Sequence, residues 1–181
     1  MPDCVKPNPK KLKRSSVKSC ETGFLDYLYV ALDEDLVTYP AKPVLTGAMT
    51  YAAFATATGS FGTTAVWSKI ECKKGSVKLQ SKSLNLKDTS AVENTVMFAF
   101  DNSKDTLGFR EMYKRADIQV VLPKANGDLI WVGRQDSPAQ IEEFTDDQSI
   151  EKSADELQIK SSPFSYLYLA SGTVITPVVE A

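Results

Sequence analysis

Histidine is absent from the chain altogether. That absence excludes Ser-His-Asp and Cys-His catalysis, the His-Glu-x-x-His zinc site and histidine pH switching in one step. Only carboxylate, Lys or Tyr chemistry stays open. Cysteine is scarce: Cys4, Cys20 and Cys72 are an odd number, with no Cys-x-x-Cys pair among them. This spacing argues against a zinc ribbon, a redox motif or a disulfide framework, and for three reduced thiols with Cys72 in a strand. No apolar run approaches the roughly 18 to 20 residues of a membrane span. The basic N-terminus is followed by no apolar segment of the signal-peptide kind. A soluble chain made in the cytoplasm, with no membrane insertion of its own, is the expectation. Neither sign of charge dominates, and a formal net charge of -2 gives no global attraction to nucleic acid.

What is present is an ordinary globular composition over 181 residues, enough for one domain with long arms. The chain is organised around Asn102 to Phe144. Asn102 or Ser103 can cap a short helix in which Phe109, Met112, Tyr113 and Ala116 fall at i, i+3, i+4 and i+7, one apolar stripe expected to be buried against a sheet. A hairpin follows, Asp117–Leu122 and Asp128–Val132, turning at Pro123–Gly127, where Asn126-Gly127 supplies the positive φ that a tight turn needs. After a turn at Gly133–Pro138, residues Ala139 to Phe144 form a short strand.

Upstream, residues 1–20 are basic and rich in Pro, Lys and Ser without a hydrophobic period, so alone they are expected to be disordered. A neighbouring subunit would hold such an arm, and packing on its own domain is the alternative. Gly23–Leu32 reads as a central strand. Between Pro40 and Gly62 a long, nearly uncharged run of Ala, Thr and Ser, with a short Ala-rich helix as one option, is of the length that is usually functional or disordered. Strands are expected over Thr64–Glu71, over Ser76–Leu86 beyond the Lys73-Lys-Gly75 turn, and over Val92–Phe100. Further strands at Leu157–Lys160 and within Pro163–Ile175 close the chain. Eight to ten short strands with one helix make the expected class mainly β: a β-sandwich or half-barrel with one packed α-helix, a basic arm over 1–20, and a single domain over 21–181.

Candidate chemistry is thin. Asp146, Asp147 and Glu151 fall in an acidic stretch from Glu142 to Glu156, but the EF-hand pattern is missing, so a solvated acidic loop is expected and no metal or other cofactor. Glu142 and Glu143, adjacent on a strand, point to opposite faces and make no acid/base pair. Gly133-Arg-Gln-Asp-Ser lacks the glycine spacing of a phosphate loop. The Lys-rich arm has no interleaved aromatics for base stacking. No enzymatic activity is expected. Two segregated charge blocks remain, Lys10, Lys11, Lys13 and Arg14 against Asp146, Asp147 and Glu151. Such blocks favour pairing between copies of one chain.

At Ile130-Trp-Val-Gly-Arg-Gln-Asp-Ser-Pro138, with the acidic stretch after it and a last strand announced by Ser161-Ser-Pro-Phe164, the chain resembles the tail tube proteins of tailed bacteriophages and the related tubes of contractile injection systems. The resemblance covers roughly residues 92–170. It implies a structural subunit: six copies in a ring, rings stacked through loops and arms, and strands lining a lumen through which DNA or effectors pass without sequence-specific binding. Its partners would be further copies of itself and other tail proteins, and its place the virion tail, assembled in the host cytoplasm. Lys10, Lys11, Lys13, Arg14, Met49, Tyr51, Phe54, Asp146, Asp147 and Glu151 are then the candidate contacts between subunits. The lysine-rich strand at 76–87 departs from the pattern and leaves open which strands face the lumen. A carbohydrate-binding or adhesin-like β-sandwich is the alternative, and it requires Trp67, Trp131 and Tyr51 to form an exposed aromatic platform. A carboxylate-based enzyme is the third.

Overall fold

A computed structural model describes residues 23–44, 50–62, 66–86, 89–100, 104–148 and 153–177. The basic arm expected over 1–20 lies outside them. In chain order the elements are β1 (Tyr27–Leu32), α1 (Tyr51–Phe54), β2 (Thr56–Ala57), β3 (Ser68–Glu71), β4 (Lys78–Leu86), β5 (Thr89–Phe100), α2 (Lys104–Tyr113), β6 (Ile118–Pro123), β7 (Leu129–Val132), β8 (Gln140–Gln148), β9 (Ser153–Ser161) and β10 (Leu167–Leu169). They build two sheets, a six-stranded one in the order β2-β10-β7-β6-β1-β3 and a four-stranded one in the order β4-β5-β9-β8. The fold is mainly β with one packed helix.

The β6–β7 hairpin is the centre of the larger sheet, and it forms for the reason its sequence gives. Gly127 has φ of +85°, its N–H donates to Lys124 O at 2.9 Å, and Asp128 N–H donates to the Asn126 side chain at 3.1 Å. Every residue of β6 is buried, which means that the sheet is covered on both sides. Leu28, Val30, Ile118, Val120, Leu122, Ile130 and Val132 meet Val96, Phe98, Phe100, Leu157 and Ile159 of the four-stranded sheet in one core. Residues on the opposite face, among them Val121, Trp131, Leu167 and Leu169, form a second core with Leu36, Phe61 and Trp67. The strap, described over residues 33–44 and 50–61, covers that second face.

At one corner the two sheets are stitched together. Ile118 N–H donates to Ala139 O at 2.8 Å and Ala139 N–H to Ile118 O at 2.9 Å, so the start of β6 holds the start of β8. Gly133, with φ of +85°, lies against this pair, and a Cβ there would sit 2.9 Å from both Ala139 N and Ile118 O. Only glycine fits. On the other side, Gly75 N–H donates to the Asp26 carboxylate at 2.7 Å and Lys73 N–H to Ala99 O at 2.7 Å, where the chain passes between sheets. The result is a β-sandwich-like pair of sheets.

Several sequence expectations need correction. In α2, Phe109 and Tyr113 face inward with ring centroids 4.5 Å apart, and Phe109 meets Phe100 at 6.4 Å, but Met112 is 64 % exposed. The helix ends at Tyr113, and two rings at i and i+4 already fill its contact line, so Met112 is rotated onto the solvent flank. The capping positions 101–103 lie outside the described residues. The acidic stretch is not a loop as far as Gln148: β8 runs through Asp146 and Asp147, which pair with Asp155 and Ala154 of β9. Phe144, set opposite Leu157, extends this strand inward against Phe100, while its carboxylates hide it from a propensity reading. β1 begins at Tyr27, not Gly23; β3 begins at Ser68, and the strand start expected at Thr64 lies outside the described residues. The long run at 40–62 carries α1 and β2, and β2 pairs in parallel with β10.

Candidate functional site

The four-stranded sheet presents its two faces unequally. Alternation on β5 sends Val96, Phe98 and Phe100 into the core and leaves Glu93, Thr95 and Met97 on the other side. The register aligns these with Lys82, Gln80 and Lys78 of β4 and, across Thr95 and Met97, with Lys160 and Gln158 of β9. All of these outward positions are exposed or half-buried. This face is polar, with both signs of charge interleaved.

Its edges carry opposite charge. β4 offers Lys78 and Lys82, both exposed, and β8 offers exposed Glu142 and Glu143 followed by Asp146 and Asp147 along the strand. Among the described residues, neither strand has a ladder partner on its outer side beyond the Ala139 corner. A bulge between Ile141 and Glu143 interrupts the β8 ladder, and Glu142 forms an ion pair with Lys160. The hydrogen bond that Lys160 donates to Glu142, with the charges of Glu142, Glu93 and Glu143, raises the Lys160 pKa above the ordinary lysine value.

The strap is held by a polar network. Trp131 Nε1–H donates to Gln119 Oε1 at 2.8 Å, Gln119 Nε2–H to Asp33 Oδ1 at 2.7 Å, and the Tyr39 hydroxyl to the same Asp33 oxygen at 2.7 Å. Burial and the Asp33 bond raise the Tyr39 pKa well above the usual tyrosine value. Further along, Lys42 pairs with Asp136, and the Arg134 guanidinium lies 4.6 Å from the Phe164 ring centroid. Partial burial pushes the Asp136 carboxyl up. The Lys42 hydrogen bond, a backbone hydrogen bond within its own residue and the charges of Arg134 and Lys42 outweigh that and hold it below the usual range.

Burial, with Asp26 and Glu71 nearby, pushes the Cys72 thiol up to about 12, so it is no nucleophile at neutral pH. Cys72 lies just after β3, not within it. Among the described residues no cluster of His, Cys, Asp and Glu could hold a metal ion, and no helix is long and apolar enough to cross a membrane. Trp67 and Trp131 are each 1 % exposed, with Phe61 edge-on to both, so they form no aromatic platform.

Of the contacts expected from sequence, Lys10, Lys11, Lys13, Arg14, Met49 and Glu151 lie outside the described residues. Tyr51 opens α1, and Phe54 closes it with its ring half exposed on the strap. Asp146 and Asp147 lie on β8, an open edge, and not in a loop. Sequence reasoning missed the strap network, although one signal was present. Gln119 interrupts an otherwise apolar strand, and a buried amide requires partners. It also missed the open edges of β4 and β8, because no local pattern tells which strands end a sheet. Comparison with protein families, with curated proteins and with solved structures finds no match for this chain.

Proposed function

We propose that this chain is a structural subunit of a phage tail or tail-like tube, without enzymatic activity, which assembles with copies of itself into stacked rings. The observation that carries this reading is the four-stranded sheet with two long, oppositely charged, unpaired edges among the described residues. Its strands are antiparallel throughout, and four is an even number, so β4 and β8 run in opposite directions. A β4 edge laid against the β8 edge of the next copy therefore continues the antiparallel ladder without a break. The contact is head-to-tail, of the kind that closes into a ring when the rotation permits. Long bare edges are a hazard for a monomer, and lateral pairing removes it.

In such a ring the polar face lines the lumen. Its interleaved Lys and Glu side chains leave little net charge, which suits a passage that neither grips nor repels a phosphate backbone. The strap, with exposed Val44 and Phe54, is then available for contacts between rings. Genome DNA or effectors would pass through without base-specific contact, in a tail assembled in the host cytoplasm.

Negative-stain images of the purified protein test the reading, with rings or tubes expected. Lys78→Glu with Lys82→Glu should abolish them, and mixing that variant with Glu142→Lys/Glu143→Lys should restore mixed assemblies. A monomer at high concentration that binds glycans would favour the adhesin-like alternative instead.

A further inference from the structure

The Asn126-Gly127 pair, read from sequence only as a turn, also brings together the two groups of a spontaneous reaction. Of the five asparagines, Asn126 alone precedes a glycine. Asn126 and Gly127 are both exposed at the tip of the β6–β7 hairpin, and the space where a Gly127 Cβ would sit is open to 4 Å. The Asn126 side-chain carbonyl accepts the Asp128 N–H at 3.1 Å, a contact that polarises the amide carbon and stabilises an oxyanion formed there. One contact restrains the reaction: Gly127 N–H donates to Lys124 O at 2.9 Å.

We infer that Asn126 is a deamidation site, gated by opening of the turn that holds the Gly127 N–H. The Gly127 nitrogen, losing its proton to solvent base, attacks Asn126 Cγ. A C–N bond forms, ammonia leaves with the former side-chain nitrogen, and a five-membered imide remains. Water then adds to either imide carbonyl, giving aspartate or isoaspartate, with no redox change. The product places a carboxylate beside Asp128, whose Oδ2 now accepts the Asn126 amide at 2.8 Å, so that hydrogen bond becomes a repulsion. The hairpin tip is also where residues 23–25 dock: Ala125 N–H donates to Gly23 O at 3.0 Å and Leu25 N–H to Pro123 O at 2.9 Å. Isoaspartate lengthens the backbone beside these bonds and loosens that docking. The inference is independent of the tube reading.

The test is peptide mapping by mass spectrometry of the full chain aged at pH 7.4 and pH 9. Asn126 should convert ahead of Asn8, Asn85, Asn94 and Asn102, faster at the higher pH, to a mixture of aspartate and isoaspartate. In denaturant, with the gate removed, conversion should be about tenfold faster or more. Asn126→Gln should remove the product while leaving the fold. An Asn126 that stays intact in the folded protein while the denatured chain converts fully would overturn the proposal, as would equal rates in the two states. Conversion led by another asparagine would overturn it too.

Discussion

The two sheets of this protein are made from similar strands and used in opposite ways. The six-stranded sheet is covered on both faces, by the four-stranded sheet on one side and by the strap on the other. Among the described residues the four-stranded sheet is covered on one face only, and its edges end in charge. Burial is concentrated in the first, while the second leaves two strand edges without a ladder partner among the described residues.

Substitutions on the far faces of the two sheets put this contrast to a direct test. Trp131→Ala, behind the six-stranded sheet, should cost about 3 to 5 kcal/mol in denaturant unfolding, since it opens a cavity beside Phe61 and leaves Gln119 Oε1 without its donor. A loss below about 1 kcal/mol would mean that the strap is a loose cover and not a second core. Asp136→Asn should cost at most about 1 kcal/mol at pH 7, because its ion pair with Lys42 is half exposed. The Asp136 pKa is held low in the fold, so this stabilisation is full above the unfolded carboxylate value and is lost as pH falls through the folded one. Urea midpoints of the two proteins should therefore converge in acid; a gap that persists there would assign the effect to packing. Met97→Ala, behind the four-stranded sheet, should change stability by about 0.5 kcal/mol or less. A larger cost would show that this face is covered after all.

The same contrast explains what was legible in the sequence. The hairpin at Pro123–Gly127 was legible because its turn chemistry is local, and the helix because two aromatic rings share one face. The exposure of Met112 was not, since it depends on where the helix stops against Phe100. The β8–β9 hairpin was hidden by its carboxylates, whose low strand propensity outweighs the signal of Phe144 and Leu157 in a local reading. Trp67 and Trp131 looked available for ligands because no local pattern shows that Phe61 of the strap packs edge-on against both rings. Gln119 was the visible clue. The open edges of β4 and β8 were beyond a local reading, since an edge is defined by the strand that is missing beside it.

Gly133 sets the angle at which one sheet leaves the other. A methyl group there must displace Ala139 or Ile118 at a contact of 2.9 Å, and so swing β8 and the edge it carries. In a monomer the swing is a small local strain. In a ring every copy repeats it with the same sign, so the error accumulates around the circumference and appears whole at the last joint, as a gap or an overlap. Closure then has a mechanical tolerance much tighter than that of folding, and a chain that folds well could still spiral instead of closing. In the proposed ring the missing side chain at position 133 would work as a vernier stop on how far each subunit turns the next.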